Sequence, residues 1–534
     1  MVDERGVMGR FLIGFTGLLL LLYAGSLVWM SGLIDATRQV GTPRDFVLLF
    51  VGATLAISAL HIGCCIVAHR QPPRLFYILF IGAVARMILL FGAPGAIYEG
   101  DHARMRFDAR LMNSGVNPYA YRPADLADNA EHTELREPAE RIQIALVRAQ
   151  LTAGADGPRP EEVGRPDLRA TSTPAGIAVG ALGDRFKPAN TRGYAFLILC
   201  ADALACFLLL MALRSIEFPL GWIIVYAWSP ILLKEAYCTL SIDIFVLPGI
   251  AALVYGLVSM RRGMAALGLA ISIAIRPATL LLAPVMFRRT GVLAVFAGLL
   301  LASATFVPTL LDTSVEPAAV GQGSIHVWRH HEYNSFAENL LRASLRGFDL
   351  TSSESLRIAG VEILGPDMPI FDLLAKLICL VALMGIVTYL VIRISDRIEE
   401  AKKPGLNDLF ITLVALLLLA PVLKPAHTLW LLPVLVVRCY GVAWLALPAL
   451  TTLSYLTHLV GPMASDFDLP GTPFSYRMLE FGAFGLLLLM DRIAGRSIFP
   501  DAVAWEEHLV WQVNAADEDL EAAQASDEST LVTA

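Results

Sequence analysis

The chain has 534 residues, 56% of them hydrophobic and only 17% charged, with a mean hydropathy of +0.62. An average soluble chain is about 45–50% apolar and about 25% charged, so these values exclude a disordered or fibrous chain and an ordinary soluble enzyme. The formal charge of −7 is local: removing the nine acidic residues between Pro500 and Ala534, a stretch without Lys or Arg, turns −7 into +2.

A helix needs about 20 apolar residues to cross a bilayer. In chain order, such runs are Phe11–Met30, Phe46–His69, Leu75–Ala93, Gly193–Leu213, Gly291–Leu310, Leu373–Ile392 and Val442–Val460. Pro219–Leu233, Ile242–Val258, Leu409–Leu423, Thr428–Val437 and Met478–Met490 are shorter or broken. Between Arg262 and Arg288, two half-length runs (Met264–Ile275 and Ala278–Phe287) meet at Arg276-Pro277, which reads as a short hairpin returning to the side it left. The expectation is an all-α polytopic membrane protein of about 12–14 transmembrane helices. It would divide into residues 1–93 (three helices), a 94–192 loop, 193–310 (central helices and hairpin), a 311–368 loop, 369–497 (C-terminal helices) and an acidic tail, 498–534.

Arg5/Arg10, Arg70/Arg74, Arg214, Arg261/Arg262, Arg288/Arg289, Arg393/Arg397, Lys402/Lys403, Arg438 and Arg492/Arg496 all fall on one side of that topology. An excess of Lys and Arg marks the cytoplasmic side, so a plasma-membrane location with both termini in the cytoplasm and both long loops outside is expected. In the first loop, Glu137–Leu151 reads either as an amphipathic helix in the membrane interface or as a surface helix packed on the rest of the loop. The seven cysteines lie in or beside apolar segments without C-x-x-C spacing, which implies neither a disulfide framework nor a zinc site. A basic patch interleaved with aromatics is missing from the sequence, and nucleic acid is not an expected partner; membrane lipids are.

Ionisable groups at membrane depth are costly and mark a site or a paired interior. Glu99 and Asp101, Lys234-Glu235, Asp243, Arg276, and Lys424 with His427 all fall near the expected outer ends of helices. Their convergence would form one charged cavity beneath the two loops. Each also has a plainer reading. Asp101 can open a solvated loop, Lys234-Glu235 can be a local ion pair, Asp243 can serve a helix N-terminus, and Arg276-Pro277 can be a helix break. Arg86 and Asp202, mid-helix, are expected to pair within the bundle.

Gly100–Tyr119 reads GDHARMRFDARLMNSGVNPY. It resembles the first-loop signature of the GT-C superfamily of membrane glycosyltransferases, in particular the bacterial mannosyltransferase-like group that uses polyprenyl-phosphate sugars. The matching positions are Asp101, Arg104, Asp108, Arg110, Gly115, Asn117, Pro118 and Tyr119. Further segments resemble that group in the same order: Pro166-Asp167-Leu168 with Thr173-Pro174, WSPILLKEAYCTLSID (Trp228–Asp243), Ile275-Arg276-Pro277, HVWRHHEYNSFAENLL (His326–Leu341) and APVLKPAHTLWLLP (Ala420–Pro433). The chain departs from the group's pattern at Ser241 and Lys424, where histidines are usual, and at Ser172-Thr173-Pro174, where Tyr-Pro-Pro is usual.

The resemblance implies a GT-C-like bundle with two long extracytoplasmic loops and inverting transfer of a sugar, a mannose-like hexose or a pentose, from a polyprenyl-phosphate donor to a lipid- or glycan-linked acceptor at the outer face. Asp101 is then the catalytic base candidate. Arg276, Lys234, Lys424 and Arg104 are donor-phosphate candidates. Asp108, Arg110, Asn117, Tyr119, Glu235, Asp243, His330, His331 and Asn334 are substrate-binding candidates, although His330 and His331 also read as loop surface. Glu99, Asp101 and Asp243 supply hard oxygen ligands suited to Mg or Mn, but their spacing demands no metal. A transporter or lipid flippase, or a non-catalytic relative of the glycosyltransferases, are the alternatives.

Overall fold

The computed structural model describes residues 4–37, 44–92, 101–126, 144–147, 163, 166–186, 191–312, 315, 317–330, 334–345, 356–358, 361–364, 370–396, 405–459 and 474–493. Glu99, His331 and the acidic tail lie outside the described residues, as do the side chains of Asp101 and His330.

Helices α1 (Glu4–Thr37), α2 (Arg44–Arg70) and α3 (Leu75–Gly92) open the chain, with α1 packed on both others. The first long loop contributes α4 (Asp101–Asn113) and α5 (Pro174–Phe186), after which α6 (Thr191–Ser215) re-enters the apolar body. There follow α7 (Pro230–Tyr237), a tight 3-10 turn at Ile242–Phe245, α8 (Val246–Val258), α9 (Arg262–Ile275), α10 (Leu282–Thr290) and α11 (Val292–Ala304). The second loop holds α12 (Gln322–His330), α13 (Ala337–Leu345) and a two-stranded antiparallel hairpin, Leu356–Ile358 with Val361–Leu364. The chain continues through α14 (Ile370–Asp396), α15 (Leu406–Leu419), a broken helical stretch at Pro425–Val437, α16 (Val442–Leu450) and α17 (Phe474–Ile493).

Five helices are long and apolar enough to cross a membrane, at Met8–Leu33, Asp45–His69, Leu75–Gly92, Thr191–Ser215 and Leu373–Ile392; a sixth arises if the bent pair Pro230–Tyr237 and Ile242–Val258 is one span. This is the composition of a multi-pass membrane protein. The two remaining long apolar runs form shorter apolar helices here, and their breaks have local causes. The Gly291–Leu310 run divides at Thr305-Phe306 into α11 and the short turn Val307–Leu310, which carries Pro308 in its first turn. The Val442–Val460 run contains Pro448 and tightens into a 3-10 helix from Thr451. Proline lacks the amide hydrogen and crowds the preceding turn, so a helix rarely passes through it intact.

The core is built on close helix contacts. Where α8 crosses α9, a Cβ at Gly268 would lie 2.5 Å from the Gly249 carbonyl oxygen; glycine here allows the two backbones to touch, the packing mode favoured between membrane helices. By contrast α14 turns Leu377, Leu380, Val381 and Met384 outward, as expected of a lipid-facing surface. Of the seven free cysteines, five are buried, Cys206 is half-buried and Cys200 is exposed.

The first loop has an apolar core of its own, formed by Phe107, Leu111, Leu126, Ile144, Val147 and Val163. Residues 144–147 are the described part of the amphipathic segment; Ile144 and Val147 pack on the loop, while Leu146 is exposed. A second small cluster joins Tyr119, Ala170 and Ile177 to Val315 and Ala319 of the second loop. The two loops therefore share a packed layer over the helices that carry the site.

Candidate functional site

Three segments remote in sequence meet at Asp243. The first is the turn after α7: Ser241 Oγ accepts from the Asp243 amide (3.3 Å) and donates to Asp243 Oδ2 (3.2 Å), fixing the carboxylate at the start of the 3-10 turn. The second is the end of α9. A residue before proline is pushed out of the helical region, and Arg276, preceding Pro277, is extended (φ −135°, ψ 99°). Its guanidinium forks onto Asp243, with Nε to Oδ1 at 2.7 Å and Nη2 to Oδ2 at 2.8 Å. The third is the Lys424–His427 turn, where Pro425 starts a short helix and His427 Nε2 lies 3.6 Å from Asp243 Oδ2. Lys424 adds a further positive charge acting on Asp243.

Asp243 is nearly sealed, with its side chain 2% exposed, while Arg276 is 28% exposed. The carboxylate thus aims a guanidinium whose outer edge reaches solvent, in the bidentate geometry that only arginine offers. The expected convergence of Asp243, Arg276, Lys424 and His427 is present. Behind them Tyr194 is buried, feels the charges of Asp243 and Arg276, and its hydroxyl has no hydrogen-bond partner among the described residues. Tyr194 also lines a small cleft with Met105, Arg106 and Leu240. Asp101 begins α4 one helical turn before Met105. The base candidate therefore opens a helix whose first turns border the cluster's neighbourhood.

The signature residues of the first loop knit that loop together. Arg104 is buried and bonds Asp108 (Nε to Oδ2, 3.3 Å) and the Leu168 carbonyl (2.6 Å). Arg110 pairs with Asp184 at 3.6 Å. Asn117 closes a turn by accepting from the Tyr119 amide and donates to Asp312 Oδ2 at 3.0 Å, while the Tyr119 hydroxyl donates to the Ser172 carbonyl at 2.6 Å. Beside Ser172, the Thr173 hydroxyl donates to the Ile275 carbonyl (3.3 Å), tying the loop to the segment that presents Arg276. Burial pushes the Asp108 carboxyl up to about 6 against the pull of Arg104, and burial likewise raises the Tyr119 phenol.

Lys234 and Glu235 stand apart from the Asp243 cluster. Both are 0% exposed, and Lys234 Nζ donates to Glu235 Oε1 (2.8 Å) and to the Tyr455 hydroxyl (2.5 Å), which in turn donates to Glu235 Oε1 (2.8 Å). This is the local ion pair of the plainer reading, completed by a tyrosine that sequence inspection did not single out. Arg86 and Asp202 pair as expected, at 2.5 Å, with the Tyr237 hydroxyl on the same carboxylate. Asn334 is fully buried, and its amide nitrogen donates to both oxygens of Glu480, at 2.9 and 3.0 Å. Glu480 was not among the expected residues. Its signal was present in the sequence, as a carboxylate inside an apolar helix.

Among the described residues, no three His, Cys, Asp or Glu side chains come together as a metal site, and both Asp243 oxygens already serve Arg276. Comparison of the chain with protein-family models, with curated proteins and with solved structures finds no match. The GT-C resemblance therefore stands on the sequence motifs alone.

Proposed function

We propose that the protein is an integral-membrane glycosyltransferase of GT-C type, with its site at the extracytoplasmic face. It would move a mannose-like hexose or a pentose from a polyprenyl-phosphate donor to a lipid- or glycan-linked acceptor. The observation that carries this reading is the meeting of Arg276, Lys424 and His427 around one sealed carboxylate, from three separated segments at helix ends. Such a cationic cluster suits a leaving phosphate: positive groups aimed at charge that develops in the transition state are a principal source of catalysis.

In this reading Asp101 takes the proton of the acceptor hydroxyl, whose oxygen attacks the anomeric carbon with inversion. The bond from that carbon to the phosphate oxygen breaks, and Arg276 and Lys424 meet the charge left on the polyprenyl phosphate. Asp243 orients Arg276 in place of binding sugar. Purified protein in nanodiscs, given decaprenyl-phosphate mannose or pentose with a lipid-linked acceptor, should form glycosylated acceptor and release decaprenyl phosphate.

One observation favours a transporter or flippase instead. The Pro230–Tyr237 and Ile242–Val258 helices are bent by 113° at the break that carries Ser241 and Asp243, and interrupted helices are typical of transporter sites. Uptake of labelled lipid or solute into vesicles, without any sugar transfer, would support that second reading.

A further inference from the structure

We infer that Glu480, in α17, is a positioning residue for the Asp243 cluster, acting through Asn334 and the Val422–Lys424 backbone; the inference rests on reading that cluster as the active site. A carboxylate with 0% exposure inside an apolar helix is expensive and needs a structural reason. Here it holds the Asn334 amide with both oxygens. Asn334 takes a left-handed backbone (φ 54°), a conformation asparagine tolerates better than most residues, and forms an isolated antiparallel bridge with Val422. The rings of Phe336 and Phe481, 4.6 Å apart, lie beside this junction.

From Val422 the path is short. His427 Nδ1 lies 3.3 Å from both the Val422 carbonyl oxygen and the Lys424 amide nitrogen, while Nε2 faces Asp243. When Nδ1 accepts from the Lys424 amide, the ring proton sits on Nε2, directed at the carboxylate. A shift of the Val422–Lys424 strand would favour the other tautomer, in which Nδ1 donates to Val422 and Nε2 turns a lone pair toward Asp243. The position of this strand therefore governs both the His427 ring and the root of Lys424. Asp243, Arg276 and Lys424 are the charged groups that act on His427; Glu480 acts on it through the backbone alone.

The test uses the full chain in nanodiscs with ¹⁵N-labelled histidine, His427 being assigned from a His427→Asn sample. Asn334→Gly keeps the left-handed backbone and removes the amide, Glu480→Ala removes the acceptor, and Glu480→Gln keeps one. Two quantities are read: the titration midpoint of the His427 ring and the affinity for decaprenyl phosphate. Asn334→Gly and Glu480→Ala should move the midpoint by about half a pH unit or more and weaken decaprenyl phosphate about tenfold, the effect of one lost hydrogen bond. Glu480→Gln should restore most of both. If Glu480→Ala does not fold, Asn334→Gly and Glu480→Gln decide. An unchanged midpoint in folded Asn334→Gly overturns the inference, and so does a Gln variant that behaves like the Ala variant. If wild-type protein binds no decaprenyl phosphate, the glycosyltransferase reading falls while the histidine midpoint still tests the relay.

Discussion

The Asp243–Arg276 pair should respond unequally to loss of its two partners. Arg276→Ala strands a carboxylate that is 2% exposed, with the Ser241 hydroxyl, His427 at 3.6 Å and the charge of Lys424 still acting on it. Breaking a buried pair in this way costs about 3–5 kcal/mol, and the surviving neighbours set the expectation at about 3 kcal/mol. Asp243→Ala leaves a guanidinium whose side chain is 28% exposed and can turn toward water, so the loss is about 1 kcal/mol. The double variant should then lose less than the sum, with a coupling of about 1–3 kcal/mol. Unfolding in mixed detergent micelles, followed by tryptophan fluorescence, measures all four proteins. Equal losses in the two single variants, or strict additivity in the double, would refute the assigned geometry. Arg276→Lys should keep part of the decaprenyl phosphate affinity, because the charge survives and the fork does not.

Three further outcomes follow from other parts of the molecule. Lys234→Met should cost about 3–5 kcal/mol by stranding Glu235, and Lys234→Met with Glu235→Gln should recover much of this; decaprenyl phosphate affinity lost in the stable double variant would return Lys234 to the donor site. Asp108 has a folded-state value of about 6 against the usual 3.8, so its contribution to stability is fully present below pH 3.8 and is lost as pH rises through 6. Asp108→Asn should therefore gain on wild type between pH 4 and pH 7, by about 3 kcal/mol at most, and a constant difference across that range would show that the carboxyl is not raised. Cysteines placed at Ser114 and Ser324 should react with an impermeant reagent from outside while one at Ser526 does not; the reverse pattern would place the loops in the cytoplasm.

The parts legible in the sequence are those whose cause is local. Hydropathy alone located five spans to within a few residues, because about 20 apolar residues suffice to specify a crossing helix. The break at Arg276 was legible because Pro277 dictates it. Of the charges expected to converge, Asp243, Arg276, Lys424 and His427 meet, whereas Lys234 and Glu235 form a separate buried pair with Tyr455, and Glu99 and the Asp101 side chain lie outside the described residues. What was not legible depends on contacts across the fold. Tyr455 meets Lys234 from 221 residues away and Glu480 meets Asn334 from 146, and neither separation carries a period or motif. Asn117 and Arg110 carry part of the GT-C resemblance, and the structure adds their partners, Asp312 and Asp184. A motif match identifies a position without distinguishing ligand contact from scaffold.

The central claim is that sugar transfer depends on a base at the start of α4. Single-turnover transfer from decaprenyl-phosphate mannose and its pentose counterpart should be measured on purified wild type and Asp101→Asn, with decaprenyl phosphate affinity taken on the same samples. The account predicts transfer by wild type and a loss of about 10²–10⁴-fold in the variant, the range for a missing general base, with affinity nearly unchanged. Transfer at a near-normal rate by Asp101→Asn, or none from wild-type protein that is folded and binds the donor, would contradict it.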